Sequence, residues 1–211
     1  MSINLWPAVL VIFISAAFAI SGKYRKTRFI HYAFKPLTMI LIISLAWERV
    51  TVWPSVYGYF ILSGLCVSLF GDIFLMLPPR YFRPGLLAFL AAQVLYIIAF
   101  SRDLQSISVL PLFIILAYGA VVFLFLFGSL GKYRWPVLVY MLAVSAMAWL
   151  AFNRHQALLD MESLLAMVGA GLFLFSDTLN AVNRFKTPFE AAQVLILGTY
   201  FAAQLLFALS V

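Results

Sequence analysis

The sequence predicts an all-α, polytopic membrane protein of eight transmembrane helices, organised as a 4+4 parallel internal repeat with both termini outside. Three observations point there. Of 211 residues, 65% are hydrophobic and only 10% charged, with a mean hydropathy of +1.07, whereas soluble domains carry about 25% charged residues. The apolar residues fall into eight runs of about the length that crosses a bilayer as a helix, roughly 20 residues. An acidic motif recurs at half the chain length. Eight spans would consume about 160 residues, so one membrane domain, residues 1–211, is expected and no room is left for a water-soluble one.

In order, the runs lie at about 3–21, 30–48, 56–77, 85–101, 107–129, 136–153, 163–183 and 191–211, each bounded by charge or Pro. The first could be read as a signal peptide, because Ala17-Phe18-Ala19 has the small-residue pattern of a cleavage site. No Lys or Arg precedes it, however, while Lys23, Arg25, Lys26 and Arg28 follow directly. That asymmetry predicts an uncleaved helix. The single Cys, Cys66, sits inside an apolar run, so neither a disulfide framework nor a thiolate metal cluster is expected.

The net charge of +7 comes from short gaps between apolar runs, which makes it an orientation signal; no nucleic-acid partner is expected. The loops after spans one, three, five and seven hold ten Lys and Arg: Lys23, Arg25, Lys26, Arg28, Arg80, Arg83, Lys132, Arg134, Arg184 and Lys186. The alternate loops hold three: Arg49, Arg102 and Arg154. The first set is therefore expected in the cytoplasm.

The repeat is read from Gly64-Leu-Cys-Val-Ser-Leu-Phe-Gly-Asp72 against Gly169-Ala-Gly-Leu-Phe-Leu-Phe-Ser-Asp177, which stand 105 positions apart (72 to 177). Weaker echoes are Lys35-Pro36 against Trp135-Pro136 and Ala91–Leu95 against Ala202–Leu206. Four spans per copy give both copies the same orientation, related by an axis along the membrane normal.

An ionisable side chain inside hydrocarbon costs about 2.5–3.5 kcal/mol on insertion scales, which makes it a functional-site hypothesis by default. Asp72 and Asp177 qualify, each five or six residues from the cytoplasmic end of its span, roughly 8–9 Å deep. Lys35 is expected near the same level as a countercharge. Helical spacing puts Gly64, Ser68 and Asp72 on one face, and Gly169, Phe173, Asp177, Asn180 and Arg184 on another. Gln93 and Tyr96, then Tyr140 and Met147, then Gln193, Tyr200 and Gln204 add polar or adaptable faces to a common cavity. The alternatives are structural: Asp as an interhelical hydrogen-bond partner, Lys35 snorkelling to headgroups, the Gln side chains as glue, the Tyr side chains as core. His31 is expected at the interface, and His155, with Arg154, Asp160 and Glu162, as solvated outer-loop surface. His-Glu-x-x-His, Gly-x-Ser-x-Gly and Gly-rich phosphate motifs are absent, which disfavours serine hydrolase chemistry with a His base. No cofactor is expected; a Mg²⁺-type ion between the two carboxylates is the alternative that the pair allows.

Lys35-Pro36-Leu37, Ser68–Asp72, Phe89–Tyr96, Tyr140-Met141 leading to Met147, Gly169-Ala170 leading to Phe175-Ser176-Asp177, and Tyr200–Gln204 together resemble the YhhN-like lysoplasmalogenase family, from span two to span eight. The resemblance implies an eight-helix membrane hydrolase that splits the vinyl-ether bond of lysoplasmalogens into a fatty aldehyde and glycerophosphoethanolamine or glycerophosphocholine. It implies a multi-pass protein of the bacterial inner (cell) membrane, whose partners are its lysophospholipid substrate and the surrounding lipids. One departure is Gln93, where many members carry His. Vinyl-ether hydrolysis requires protonation of the β-carbon and stabilisation of an oxocarbenium ion, tasks that a protonated and an ionised carboxyl can divide. On this reading Asp72 and Asp177 share them in an order left open, Lys35 holds phosphate, and Gln93, Tyr96, Tyr140, Tyr200 and Gln204 bind substrate or orient water. A different class, a small proton-coupled carrier using the same Asp pair, is the alternative.

Overall fold

The computed structural model describes residues 6–25, 27–102, 104 and 107–211, with the backbone alone at Arg28. Residues 3–5 of the first expected span, and Lys26 among the orienting charges, lie outside the described residues.

Among the described residues the chain is helical throughout, and eight helices are long and apolar enough to cross a membrane. They are α1 (Trp6–Tyr24), α2 (Arg28–Val52), α3 (Val56–Met76), α4 (Phe82–Phe100), α5 (Leu110–Phe127), α6 (Arg134–Leu158), α7 (Met161–Phe185) and α8 (Ala192–Leu209). Short 3₁₀ turns at Pro79–Tyr81 and Gly131–Tyr133 lead into α4 and α6. Side chains cap where the sequence supplies them: Ser55 Oγ accepts from Gly58 N at 2.9 Å at the start of α3, and Asp160 Oδ1 accepts from Ser163 N at 2.8 Å at the start of α7.

Hairpin neighbours pack most closely: α3 on α4, α7 on α8, α1 on α2. Across the halves, α2 packs on α8 and α4 on α6. α1 is tied into the bundle by Ser15 Oγ and Thr38 Oγ1 at 2.8 Å, and by His31 Nδ1 against the Ala19 carbonyl at 2.9 Å. α8 is the most buried helix and α5 the least, an apolar helix held mainly against α6. Small residues set the closest approaches. A Cβ on Gly64 would run into the Tyr96 ring, and one on Gly169 would come within 2.9 Å of Phe207 Cε1 and 3.1 Å of the Ala203 carbonyl.

Three expectations need correction. α6 does not stop near residue 153: it continues to Leu158 and ends at Leu159 in the left-handed region, φ 54°. Arg154 is therefore helical and buried, its guanidinium 3.9 Å from the Tyr57 ring centroid. Stacking on an aromatic face lets a cation enter the bundle where a charge count reads a loop. His155 is half-buried rather than solvated surface, with Nδ1 3.0 Å from Ser163 Oγ. Pro36 lies inside α2, and the helix runs through it although Pro has no N–H to give the preceding turn.

Candidate active site

A cavity of about 320 Å³ opens among the helix ends where α1, α3 and α7 finish and α2, α4 and α8 begin. Five of the eight residues singled out from the sequence line it: Lys35, Asp72, Tyr140, Asp177 and Tyr200. Both carboxylates thus reach one cavity from different helices, Asp72 from α3 and Asp177 from α7. One arm of the cavity is apolar, bounded by Val122 of α5, Val137, Met141 and Val144 of α6, and Leu174 of α7. The other end, at the mouth, is polar and basic, with Lys23, His31, Asn180, Asn183, Arg184 and Gln193.

Asp72 is 1% exposed and accepts from two directions. Lys35 Nζ lies 2.9 Å from Oδ1, and the Tyr200 hydroxyl donates to Oδ2 at 2.5 Å. Behind Tyr200 the donors line up: Gln204 Nε2 donates to the Tyr200 hydroxyl oxygen at 3.1 Å, and the Tyr96 hydroxyl donates to Gln204 Oε1 at 2.9 Å. Every proton in this chain points toward Asp72, an arrangement suited to an ionised carboxylate, which can only accept.

Asp177 is half-buried and faces the cavity. It accepts one hydrogen bond, from the Tyr140 hydroxyl to Oδ2 at 2.7 Å. Among the described residues no Lys or Arg nitrogen stands within 4 Å of it. Its partner sits at the same sequence distance as that of Asp72: Lys35 and Tyr140 are each 37 positions before their carboxylate (35 to 72, 140 to 177).

The remaining three residues, Gln93, Tyr96 and Gln204, are fully buried beneath the cavity. Tyr96 and Gln204 hold the donor chain just described. Among the described residues, Gln93 finds no hydrogen-bond partner for either amide atom. Below Tyr200 the floor is closed by aromatic rings: Phe89 and Phe173 stand 6.0 and 5.8 Å from the Tyr200 ring, and Tyr96 stands 4.8 Å from Phe207. Tyr96, Phe173 and Phe207 are wholly inaccessible to solvent.

Sequence reasoning missed the wall beside α5. The Tyr118 hydroxyl donates to Thr178 Oγ1 at 2.9 Å and ties α5 to α7 along the cavity. Tyr118 stands in a run too uniformly apolar for periodicity to assign it a face. No cluster of three or more His, Cys, Asp or Glu side chains occurs among the described residues; the acidic donors in the cavity are the two Asp.

Fold and cavity together define a polytopic α-helical membrane protein with a two-carboxylate pocket. Residues 30–211 match the model of the YhhN family, and the chain belongs to that family. It is 30% identical over 207 residues to "Uncharacterized membrane protein YhhN" of Escherichia coli O157:H7 and to the protein of that name in Shigella flexneri, covering 96% of this chain and of each relative. It is 35% identical over 162 residues to "Lysoplasmalogenase TMEM86A" of Bos taurus, covering 74% of this chain and 66% of the relative. With "Lysoplasmalogenase TMEM86B" of Homo sapiens the identity is 35% over 154 residues, 73% of this chain and 64% of the relative. No solved structure gives a significant match. At family level, then, the chain is a membrane protein with hydrolase relatives that act on lysoplasmalogens.

Proposed function

We propose that this chain hydrolyses the vinyl-ether bond of a lysoplasmalogen, with Asp177 as the proton donor and Asp72 as the anion. The observation that carries this is the unequal provision for two carboxylates in one cavity. Asp72 has a cation and a converging donor chain, so it serves as the fixed negative charge. Asp177 has a single hydroxyl partner and an open side, so it can hold a proton and pass it to a substrate.

Asp177 delivers that proton to the β-carbon of the O–CH=CH group. The resulting oxocarbenium ion forms beside Asp72, whose charge stabilises it. Water adds to the α-carbon and returns a proton to Asp177, giving a hemiacetal. Transfer of the hemiacetal proton to the departing oxygen then yields the fatty aldehyde and the glycerophospho-alcohol, and the enzyme is unchanged. Tyr140 orients the acid, and Tyr200, braced by Gln204 and Tyr96, orients the anion. The apolar arm along α5 and α6 suits the single alkenyl chain, and the polar mouth suits the headgroup. A carrier would open the same carboxylates to each membrane face in turn; the apolar lining along α5 and α6 supports a lipid chain as the occupant.

The contacts also favour a 4+4 repeat. Besides the shared 37-residue spacing, Gly64 abuts Tyr96 as Gly169 abuts Phe207, the same helix pairing in each half. The register differs from the Pro36–Pro136 echo, since the spacing sets Lys35 opposite Tyr140. The basic loops support an orientation with the cavity mouth in the cytoplasm and both termini outside, and the bacterial relatives support the inner (cell) membrane of a bacterium as its location.

Purified protein given a lysoplasmalogen should release aldehyde, and the matching alkyl-ether lysolipid, which has no double bond to protonate, should remain intact. Product from both substrates, or from neither, would overturn the reading.

A further inference from the structure

If the substrate is a lysophospholipid, its phosphate needs a cation, and Lys35 is already engaged by Asp72 at 2.9 Å. The cavity mouth supplies another. Asp177, Asn180 and Arg184 fall at i, i+3 and i+7 on α7, which puts them on one helix face, and all three line the cavity. Arg184 lies with its guanidinium 3.9 Å from the Phe82 ring centroid. A stack of this kind fixes the plane of the group and leaves its in-plane N–H fork free to meet two oxygens of an anion. Among the described residues no carboxylate lies within 4 Å of Arg184, and the Asn180 side chain makes no hydrogen bond of its own.

The spacing fits the substrate. Seven covalent bonds separate the vinyl β-carbon of a 1-alkenyl glycerophospholipid from phosphorus, about 8 Å when extended, and along α7 Asn180 and Arg184 stand about 4.5 and 10.5 Å beyond Asp177. With the vinyl β-carbon at Asp177, the phosphate falls past Asn180 and short of Arg184 on the same face. The long Arg184 side chain reaches back to it. We propose that Arg184 and Asn180 form the phosphate subsite for the lysolipid headgroup, Arg184 supplying the charge and Asn180 a hydrogen bond; the assignment rests on the lysoplasmalogen reading above. Such a site reads the phosphate and is indifferent to whether ethanolamine or choline follows it.

Binding tests it without turnover. In nanodiscs of neutral lipid, affinity is measured for 1-O-alkyl-glycerophosphocholine, the ethanolamine analogue and 1-O-alkylglycerol, which has the chain but no phosphate. Arg184→Gln should weaken both phospholipids about tenfold, roughly 1.4 kcal/mol, and leave alkylglycerol unchanged, which also shows that the variant is folded. Arg184→Lys should recover part of the loss, and Asn180→Ala should show a smaller loss of the same selectivity. Free glycerol 3-phosphate should compete weakly with the wild type and not at all with Arg184→Gln. Equal weakening of all three lipids, no weakening, or competition that survives the substitution would overturn the subsite. With turnover, Arg184→Gln should raise KM and spare kcat. Aldehyde release with an unchanged KM sinks this subsite alone. Phosphate-selective binding without any aldehyde sinks the catalytic reading and leaves the subsite standing.

Discussion

The surroundings of Asp72 and Asp177 differ more than their sequences do. Both follow Leu-Phe and a small residue, both have Gly eight positions earlier, and both line one cavity. Asp72 meets an ammonium where Asp177 meets a phenol, at the same 37-residue spacing. Asp72 is sealed at 1% exposure, while Asp177 stays open to the cavity. The shared motif supplies the carboxylate, but what each carboxylate meets is set by what the neighbouring helices bring. Two like carboxylates can divide acid and anion duties when one is neutralised from behind and the other is left to the substrate.

Replacing each carboxylate by its amide tests this division most severely. Asp177→Asn keeps the shape and can still accept from Tyr140, but it has no proton to give; aldehyde release should fall by about 10²–10⁴ with thermal stability in detergent little changed. Asp72→Asn should lose activity comparably, and should also melt earlier, because Lys35 is left buried without its counterion. Equal stability losses in the two variants would erase the distinction between the sites, and normal turnover in either would refute the pairing.

Lys35→Met asks the same question from the cation side. It strands the Asp72 carboxylate, and breaking a buried pair typically costs about 3–5 kcal/mol. The double variant Lys35→Met with Asp72→Asn should regain much of that loss, because the stranded charge is gone. Tyr140→Phe, the matching change in the other half, strands no charge and should cost no more than a hydrogen bond, about 0.5–1.5 kcal/mol. A Lys35→Met protein that melts with the wild type would mean that Asp72 is already neutral, and the roles assigned to the two carboxylates would have to be exchanged.

The fold was largely legible because membrane insertion imposes length and hydropathy one helix at a time. Where charge had to stand for structure, it misled: Arg154 reads as a loop residue, yet the Tyr57 ring carries it inside α6. The carboxylates stood out because burial of Asp in lipid demands a reason. Periodicity gave the faces of Gln93, Tyr96 and Gln204 but not their depth, so their place beneath the cavity, and the bracing that Tyr96 and Gln204 supply, emerge only from packing. Periodicity also put Arg184 on the face of Asp177 but gave no role for it, since a basic residue at a helix end looks like every other orienting charge until its stack on Phe82 is seen.

The two glycines offer the gentlest probe of whether the halves are copies that have diverged. Gly64 and Gly169 occupy equivalent places in the motif, and each lets an aromatic ring from the next helix lie against the backbone. Changing either to Ala overpacks the contact, which typically costs about 1–3 kcal/mol. The costs should nonetheless differ. Tyr96 cannot retreat from a new methyl group without straining its bond to Gln204 and, through it, the brace on Tyr200 and Asp72. Phe207 has no polar bond to break and can tilt, although the Ala203 carbonyl beside Gly169 limits the room. Gly64→Ala should therefore lower the melting temperature more than Gly169→Ala, and it alone should reduce turnover as well. The opposite order would show that the polar chain behind Asp72 tolerates displacement, and that the rigidity ascribed to the anion site belongs instead to the ring packing common to both halves.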